Sequence, residues 1–361
     1  MSYTNGLDNP ELYFQTKLYT GNNSTNAITL DGSENMQPDL VWVKKRNASA
    51  DHILFDSVRG VQKGLFSSRQ TEQESEGGTR GLNAFNTDGF TLGAEVSDMA
   101  GSCNDNNDTF CSWNWKAGTS VSGTTTGSGT SKAYTGSVST DAGFSIIKYI
   151  GNGTAGHQIP HHLNAVPKMI ILKNITGGDE NWFVYHASLG NTKDIHLNTT
   201  GASATADSWN DTTPTSTVWT MSDQSAINST DGNDHIAYCF AEKKGYSKFG
   251  SYTGNGQADG TFVYTGFKPA FTILKKSSGT DNWVLHDNKR SDVPNANVND
   301  QVVYPNSNAS ELSSSTRAID TVSNGFKCRG SGGNINASGE TYIYMAFAES
   351  PFVNSNGVPN N

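Results

Sequence analysis

Charge is what this chain has least of: Asp, Glu, Lys and Arg make up 16% of its 361 residues, where about a quarter is usual. Strong helix formers are scarce as well, which excludes helical bundles, coiled coils and alternating α/β enzymes, all of which need long stretches of Ala, Leu, Glu and Lys. Basic clusters are missing. The longest run is Lys44-Lys45-Arg46 and the net charge is −9, so nucleic acid is not expected as a partner, because neutralising phosphates takes clustered Lys and Arg. No apolar run approaches the about 18 residues of a transmembrane helix and the start is not charged-then-apolar, so neither membrane insertion nor a Sec-type signal peptide is expected. Cys103, Cys111, Cys239 and Cys328 are too few for a disulfide scaffold. Cys103 and Cys111 are the one pair close enough for a local hairpin bridge, and free thiols are the preferred reading.

What is abundant is Gly, with 38 residues, and aromatics, with 7 Trp, 13 Tyr and 16 Phe. Bulky rings in a Gly-, Ser-, Thr- and Asn-rich chain point to an all-β protein with thin cores. The chain also repeats itself at a period of about 100 residues. Three copies open on an aromatic strand ending in Gly-Asn: "KLYTGN" at 17–22, "KYIGN" at 148–152 and "SYTGN" at 251–255. A proline then introduces an apolar strand closed by a base: "PDLVWVKKR" from Pro38, "PKMIILKN" from Pro167 and "PAFTILKK" from Pro269. Next come "HILFDSVRG", "NWFVYHASLG" and "NWVLHDNKR", and each copy ends on "FCSWNWKAG", "IAYCFAEKKG" or "IYMAFAESPF".

Alternating and continuous apolar runs of four to eight residues, broken by turns, predict tandem β-sandwich or jelly-roll modules. Asp88-Gly89 and Asn324-Gly325 read as two-residue hairpin turns, a signal the middle copy replaces with "STVWTMSD". The predicted organisation is a lead-in at 1–11, module 1 at 12–118, a flexible Gly/Ser/Thr linker at 119–142, module 2 at 143–245, module 3 at 246–353 and a tail at 354–361. Modules 2 and 3 follow one another without a linker, which predicts a fixed interface between them.

Several stretches imitate catalytic motifs. "GNGTAG" at 151–156 matches G-x-G-x-x-G after a strand, but the two prolines of "HQIPHHLNAVP" forbid the helix that a dinucleotide needs, so it reads as a turn. His157, His161 and His162 carry imidazoles close together, yet Pro160 breaks the helix that would align them on zinc, and a solvated loop is the preferred reading. Asp108, Asp234 and Glu340 precede the final strand of each copy and are the candidate oxygen ligands for Ca²⁺, although the twelve-residue calcium-loop pattern is absent. Asp56, His186 and Asp287 fall at matching places in separate copies, and convergence on one site is not expected. No GxSxG elbow occurs. No catalytic residue and no other cofactor is assigned. Sequons such as Asn47, Asn152 and Asn198 arise by chance in a chain this rich in Asn, Ser and Thr.

The wording of "NPELYFQTKLYTGN", "PDLVWVKKR", "DSVRG", "AFNTDGFTLG", "WNWKAG", "AEKKGYSKFGSYTGNGQADGTFVYTGFKPAF" and "MAFAESPFV" resembles the repeat modules of virion structural proteins, tail-fibre-like or head-associated, of marine tailed bacteriophages. That resemblance implies lectin-like β-sandwich modules, no catalytic residues and display on a virion after synthesis in the host cytoplasm. Other virion subunits are the implied partners, with a homo-oligomer, for instance a trimer, and host-surface polysaccharide beside them. The function it implies is a non-enzymatic surface protein that stabilises the particle, mediates host adhesion, or both. The alternatives are a dedicated glycan-binding receptor-recognition protein and a polysaccharide-cleaving spike.

Overall fold

The computed structural model describes Leu7 and residues 9–75, 81–94, 103–229, 232–291 and 297–348. The protein is all-β, built of sandwich modules whose sheets are antiparallel throughout. The helices among the described residues are single turns, and none is long and apolar enough to cross a membrane.

One strand order occurs three times. In the first module an opening strand (Phe14–Thr20) pairs with the closing strand (Thr109–Trp115), which pairs with the proline strand (Leu40–Lys45) and then with Ile53–Asp56 and Lys63–Phe66. The second places Phe144–Ile150, Asp234–Ala241, Pro167–Asn174, Phe183–His186 and Lys193–His196 in the same sequence. The third repeats it with Ser247–Thr253, Thr341–Ala348, Pro269–Lys276 and Val284–Asp287, extended by a bridge from Leu285 to Val303.

Side chains on a strand alternate between faces, and here both faces are buried. On the closing strands, Trp113 and Trp115, Tyr238 and Phe240, and Met345 and Phe347 point into one core shared by all three modules. The alternate residues, Phe110, Ala237 and Cys239, and Tyr344 and Ala346, point into a private core under each module's smaller sheet. Burial of both faces accounts for the continuous apolar runs of the proline strands. Register pairs Leu40 with Trp115, Met169 with Phe240 and Phe271 with Phe347. Those three closing-strand rings meet one another, with centroids 6.4, 5.8 and 5.9 Å apart, and so form a triangle around a pseudo-threefold axis.

The signature of the opening strands has a packing cause. Tyr19, Tyr149 and Tyr252 each donate a 2.7 Å hydrogen bond, to the carbonyls of Cys103, Ile227 and Ile335. The glycine that follows each lies against backbone: a Cβ on Gly21 would come within 2.2 Å of the Asp105 carbonyl oxygen, and one on Gly151 within 2.6 Å of Ser229. The next residue's amide donates to a buried asparagine: Asn22 to Asn104, Asn152 to Asn228 and Asn255 to Asn336.

Several expectations are corrected. Residues 119–142 are not a flexible linker: Thr119–Thr124 and Ala133–Ser139 form a hairpin that adds to the opening strand of the second module and widens its sheet to eight strands. Tyr134 and Val138 are buried at alternate positions, and Gly123 leaves room for the Tyr134 ring. Small residues hid this period-two pattern. The hairpin loops are Thr87-Asp88 and Ser323-Asn324, one residue earlier than expected. Gly89 and Gly325 are paired strand residues, where a Cβ would strike the carbonyls of Ile28 and Val263 at 2.0 and 2.1 Å. "HQIP" is a strand, His157–Pro160, pairing with Val218–Met221, and His157 and His161 are buried rather than solvated.

Candidate functional site

The three residues expected to stay apart, Asp56, His186 and Asp287, each end a strand that faces the shared core, and each meets the closing strand of another module. Tyr238 Oη donates to Asp56 Oδ2 at 2.8 Å, Trp113 Nε1 donates to Asp287 Oδ2 at 2.9 Å, and His186 Nε2 donates to the Tyr344 carbonyl at 3.1 Å. The contacts run in a cycle, second module to first, first to third, third to second. Both aspartates pair with an arginine three residues on, Arg59 or Arg290, and all four side chains are buried. Burial alone would raise the Asp287 carboxyl, but the Arg290 guanidinium, the Trp113 N–H and the Arg290 amide together hold that group below the usual carboxylate value. In the second module Leu189 replaces the arginine. His186 Nδ1 accepts from the Ser188 amide at 3.2 Å, as Asp287 Oδ1 accepts from the Lys289 and Arg290 amides at 3.0 Å. Burial lowers His186 to about 4, so the ring is neutral at pH 7 with its proton on Nε2.

The base closing each proline strand completes the cycle. Lys173 Nζ donates to the carbonyls of Glu180 in its own module and Gln70 in the first, both at 2.6 Å. Lys275 does the same with Asp281 at 2.8 Å and Thr200 at 3.0 Å, and Lys44 with Ala50 at 2.5 Å and Asn308 at 3.3 Å. Burial lowers all three ammonium groups to about 8. Paired backbone bonds flank each lysine, for example Asp281 N to Thr200 O at 2.9 Å and Ser203 N to Ser277 O at 3.0 Å. These buried groups hold the modules together.

Each candidate calcium ligand has a lysine beside it. Asp108 pairs with Lys45 at 2.7 Å and accepts from Asn47 at 2.9 Å. Asp234 pairs with Lys148 at 2.6 Å, and Glu340 lies 3.6 Å from Lys276 and accepts from Ser278. Register aligns Asp234 with Thr109 and Thr341, so its true counterpart lies one residue from the place expected. Among the described residues no three acidic, His or Cys side chains are grouped to hold a metal. His157 is spent on Asn228 and Thr125, at 2.9 and 2.7 Å, and His162 on Tyr134 at 2.8 Å. Among the described residues the four cysteines form no disulfide and are buried, and burial pushes the thiols of Cys111, Cys239 and Cys328 up.

The most conspicuous solvent-facing feature lies on the smaller sheet of the third module. Phe262 and Tyr264 occupy alternate positions of the edge strand Phe262–Tyr264 and are 46% and 63% exposed, while Val263 between them is buried. Lys327 lies opposite Phe262 and Gly325 opposite Tyr264, so no side chain stands beside the tyrosine on the neighbouring strand. Lys327 and Arg329 pair with Asp259, and Arg329 also lies 3.2 Å from Asp320. The hydrogen bond from Lys327 lowers the Asp259 carboxyl. The register puts Ala27 and Thr29 at these places in the first module, and Gln158 and Pro160 in the second. Sequence reasoning did not single out these two; alternation in "TFVYTG", set against "NAIT" and "HQIP" in the other copies, carries the signal.

Fold and surface together define a rigid, non-helical scaffold of interlocked sandwiches that displays an aromatic pair flanked by charged groups. Residues 9–351 match a family described as a domain of unknown function, DUF7483, and the chain belongs to that family. No curated protein and no solved structure matches it.

Proposed function

We propose that this chain is a non-enzymatic surface protein of a bacteriophage particle that engages host-surface glycan. The observation that carries the binding part is the Phe262 and Tyr264 pair, two rings held at a fixed spacing on an edge strand. Aromatic faces stack on the C–H faces of sugar rings, and the neighbouring Lys327, Asp259, Arg329 and Asp320 supply donors and acceptors for hydroxyls. The resemblance of the repeats to phage virion modules supports the location. Interlocked modules suit a protein that must keep its shape on a particle exterior, whether it decorates a head or a tail.

Recombinant protein should bind surface polysaccharide purified from a host bacterium, and a Phe262→Ala/Tyr264→Ala variant should lose most of that binding with its melting temperature unchanged. Wild-type protein that binds no polysaccharide at high concentration would sink the adhesive reading. A symmetric reconstruction of purified particles tests the location.

A further inference from the structure

The pseudo-threefold arrangement supplies an internal control for finding sites, because matching junctions should look alike unless one has been modified. Where the first module meets the third, the space beside the opening strand is almost closed, with about 20 Å³ left among Phe14, Gln15, Gly32, Ala270 and Asn288. Gln15 is the plug: it donates to the Glu11 carbonyl at 2.8 Å and accepts from the Gly32 amide at 2.7 Å. Where the second module meets the first, the corresponding region is an open groove of about 720 Å³, within the size range of small-ligand sites, roughly 300–1,000 Å³. Its far wall is the hairpin of residues 119–139, which among the described residues has no counterpart in the strand order of the other two modules.

The floor of the groove holds Asp39, 5% exposed. Its carboxylate accepts from the Ala117 amide at 2.9 Å, Ser57 Oγ at 2.6 Å and Ser137 Oγ at 3.3 Å. A carboxylate has about four acceptor positions, so one remains for a ligand. By register the same place is Lys168 in the second module and Ala270 in the third. The walls carry short groups that both donate and accept, among them Asn35, Gln37, Ser122, Thr135 and Ser137. Val58 interrupts them with apolar surface. Hydroxyl partners at close spacing with a small apolar patch between them complement a neutral oligosaccharide, which presents vicinal hydroxyls around C–H faces.

We propose that this groove is a second carbohydrate site, for a linear neutral oligosaccharide anchored through a hydroxyl on Asp39. The proposal rests on the glycan-binding reading above and adds a site distant in sequence from Phe262 and Tyr264. Calorimetry of the full chain with glucose-, mannose- and galactose-based hexasaccharides tests both. Ser122 is exposed on an edge strand, so Ser122→Tyr fills the groove without disturbing a core, and Asp39→Asn removes the anchoring charge. Both variants should weaken binding by about tenfold or more while the Phe262→Ala/Tyr264→Ala protein retains a groove-dependent signal. Groove variants that bind like wild type, with binding lost only in the aromatic variant, overturn the groove and leave the aromatic reading standing. Loss confined to the groove variants upholds the groove and overturns the aromatic reading. No heat with any hexasaccharide overturns the groove, and the aromatic reading then stands or falls on the host-polysaccharide test.

Discussion

Two of the junctions differ in chemistry but not in geometry. Between the first and third modules a cluster of Arg46, Glu311 and the buried pair Arg290 and Asp287 ends on Trp113, with Glu311 bridging the two arginines. Between the third and second the matching places hold Met345, His186 and Leu189, and there the polar contact is one neutral hydrogen bond, from His186 to the Tyr344 carbonyl. The lysine and its paired carbonyls are nevertheless the same at both. The modules are therefore positioned by apolar packing around the axis and by the carbonyl interlock. The buried ion pairs are tolerated because each is fully hydrogen-bonded, and such pairs roughly break even against apolar replacements.

The comparison is broken most severely by removing half of a pair. Asp287→Ala strands Arg290 in the core and should cost about 3–5 kcal/mol in chemical denaturation; a loss below about 1 kcal/mol would mean that water or Glu311 compensates freely. Acid should weaken the neutral junction through His186. The folded His186 value, about 4, lies below the unfolded value of about 6.5, so its contribution is present above pH 6.5 and is lost as pH falls towards 4. At pH 5 that loss is about 2 kcal/mol, and His186→Gln should flatten the stability profile between pH 6.5 and 4. His161, His235 and His286 are lowered to about 4, 3 and 4 by burial and add to the wild-type slope.

A smaller effect follows from converting one junction into the other. Trp113→Met, Asp287→His and Arg290→Leu together should leave stability within about 1–2 kcal/mol of wild type, because Arg46 still satisfies Glu311. Collapse of that triple variant would show that the charges, not the packing, define the interface. Smallest of all, Phe262→Ala/Tyr264→Ala should change stability by less than about 0.5 kcal/mol, as expected for exposed side chains.

Much of the fold was legible. The Gly-Asn ends, prolines, terminal bases and alternating apolar residues located the strands, and recurrence located the modules. The Gly/Ser/Thr segment was misread because flexible chain and a polar edge hairpin share a composition; only Tyr134 and Val138 at even spacing distinguish them. The candidate metal ligands Asp108, Asp234 and Glu340 carry a different ambiguity. A carboxylate beside a strand end looks the same whether it awaits a cation or already has its lysine.

What the sequence by itself determined was local: strand periodicity, the tight approaches that require Gly21, Gly89 and Gly325, and burial of both faces of the proline strands. Which surface covers which face was decided by tertiary structure alone. Trp113 and Asp287, or Lys275 and Thr200, are far apart in the chain, and an apolar face carries no label for its partner. Closing three sheets around one axis selected those contacts, because only a cyclic arrangement buries all three shared faces at once.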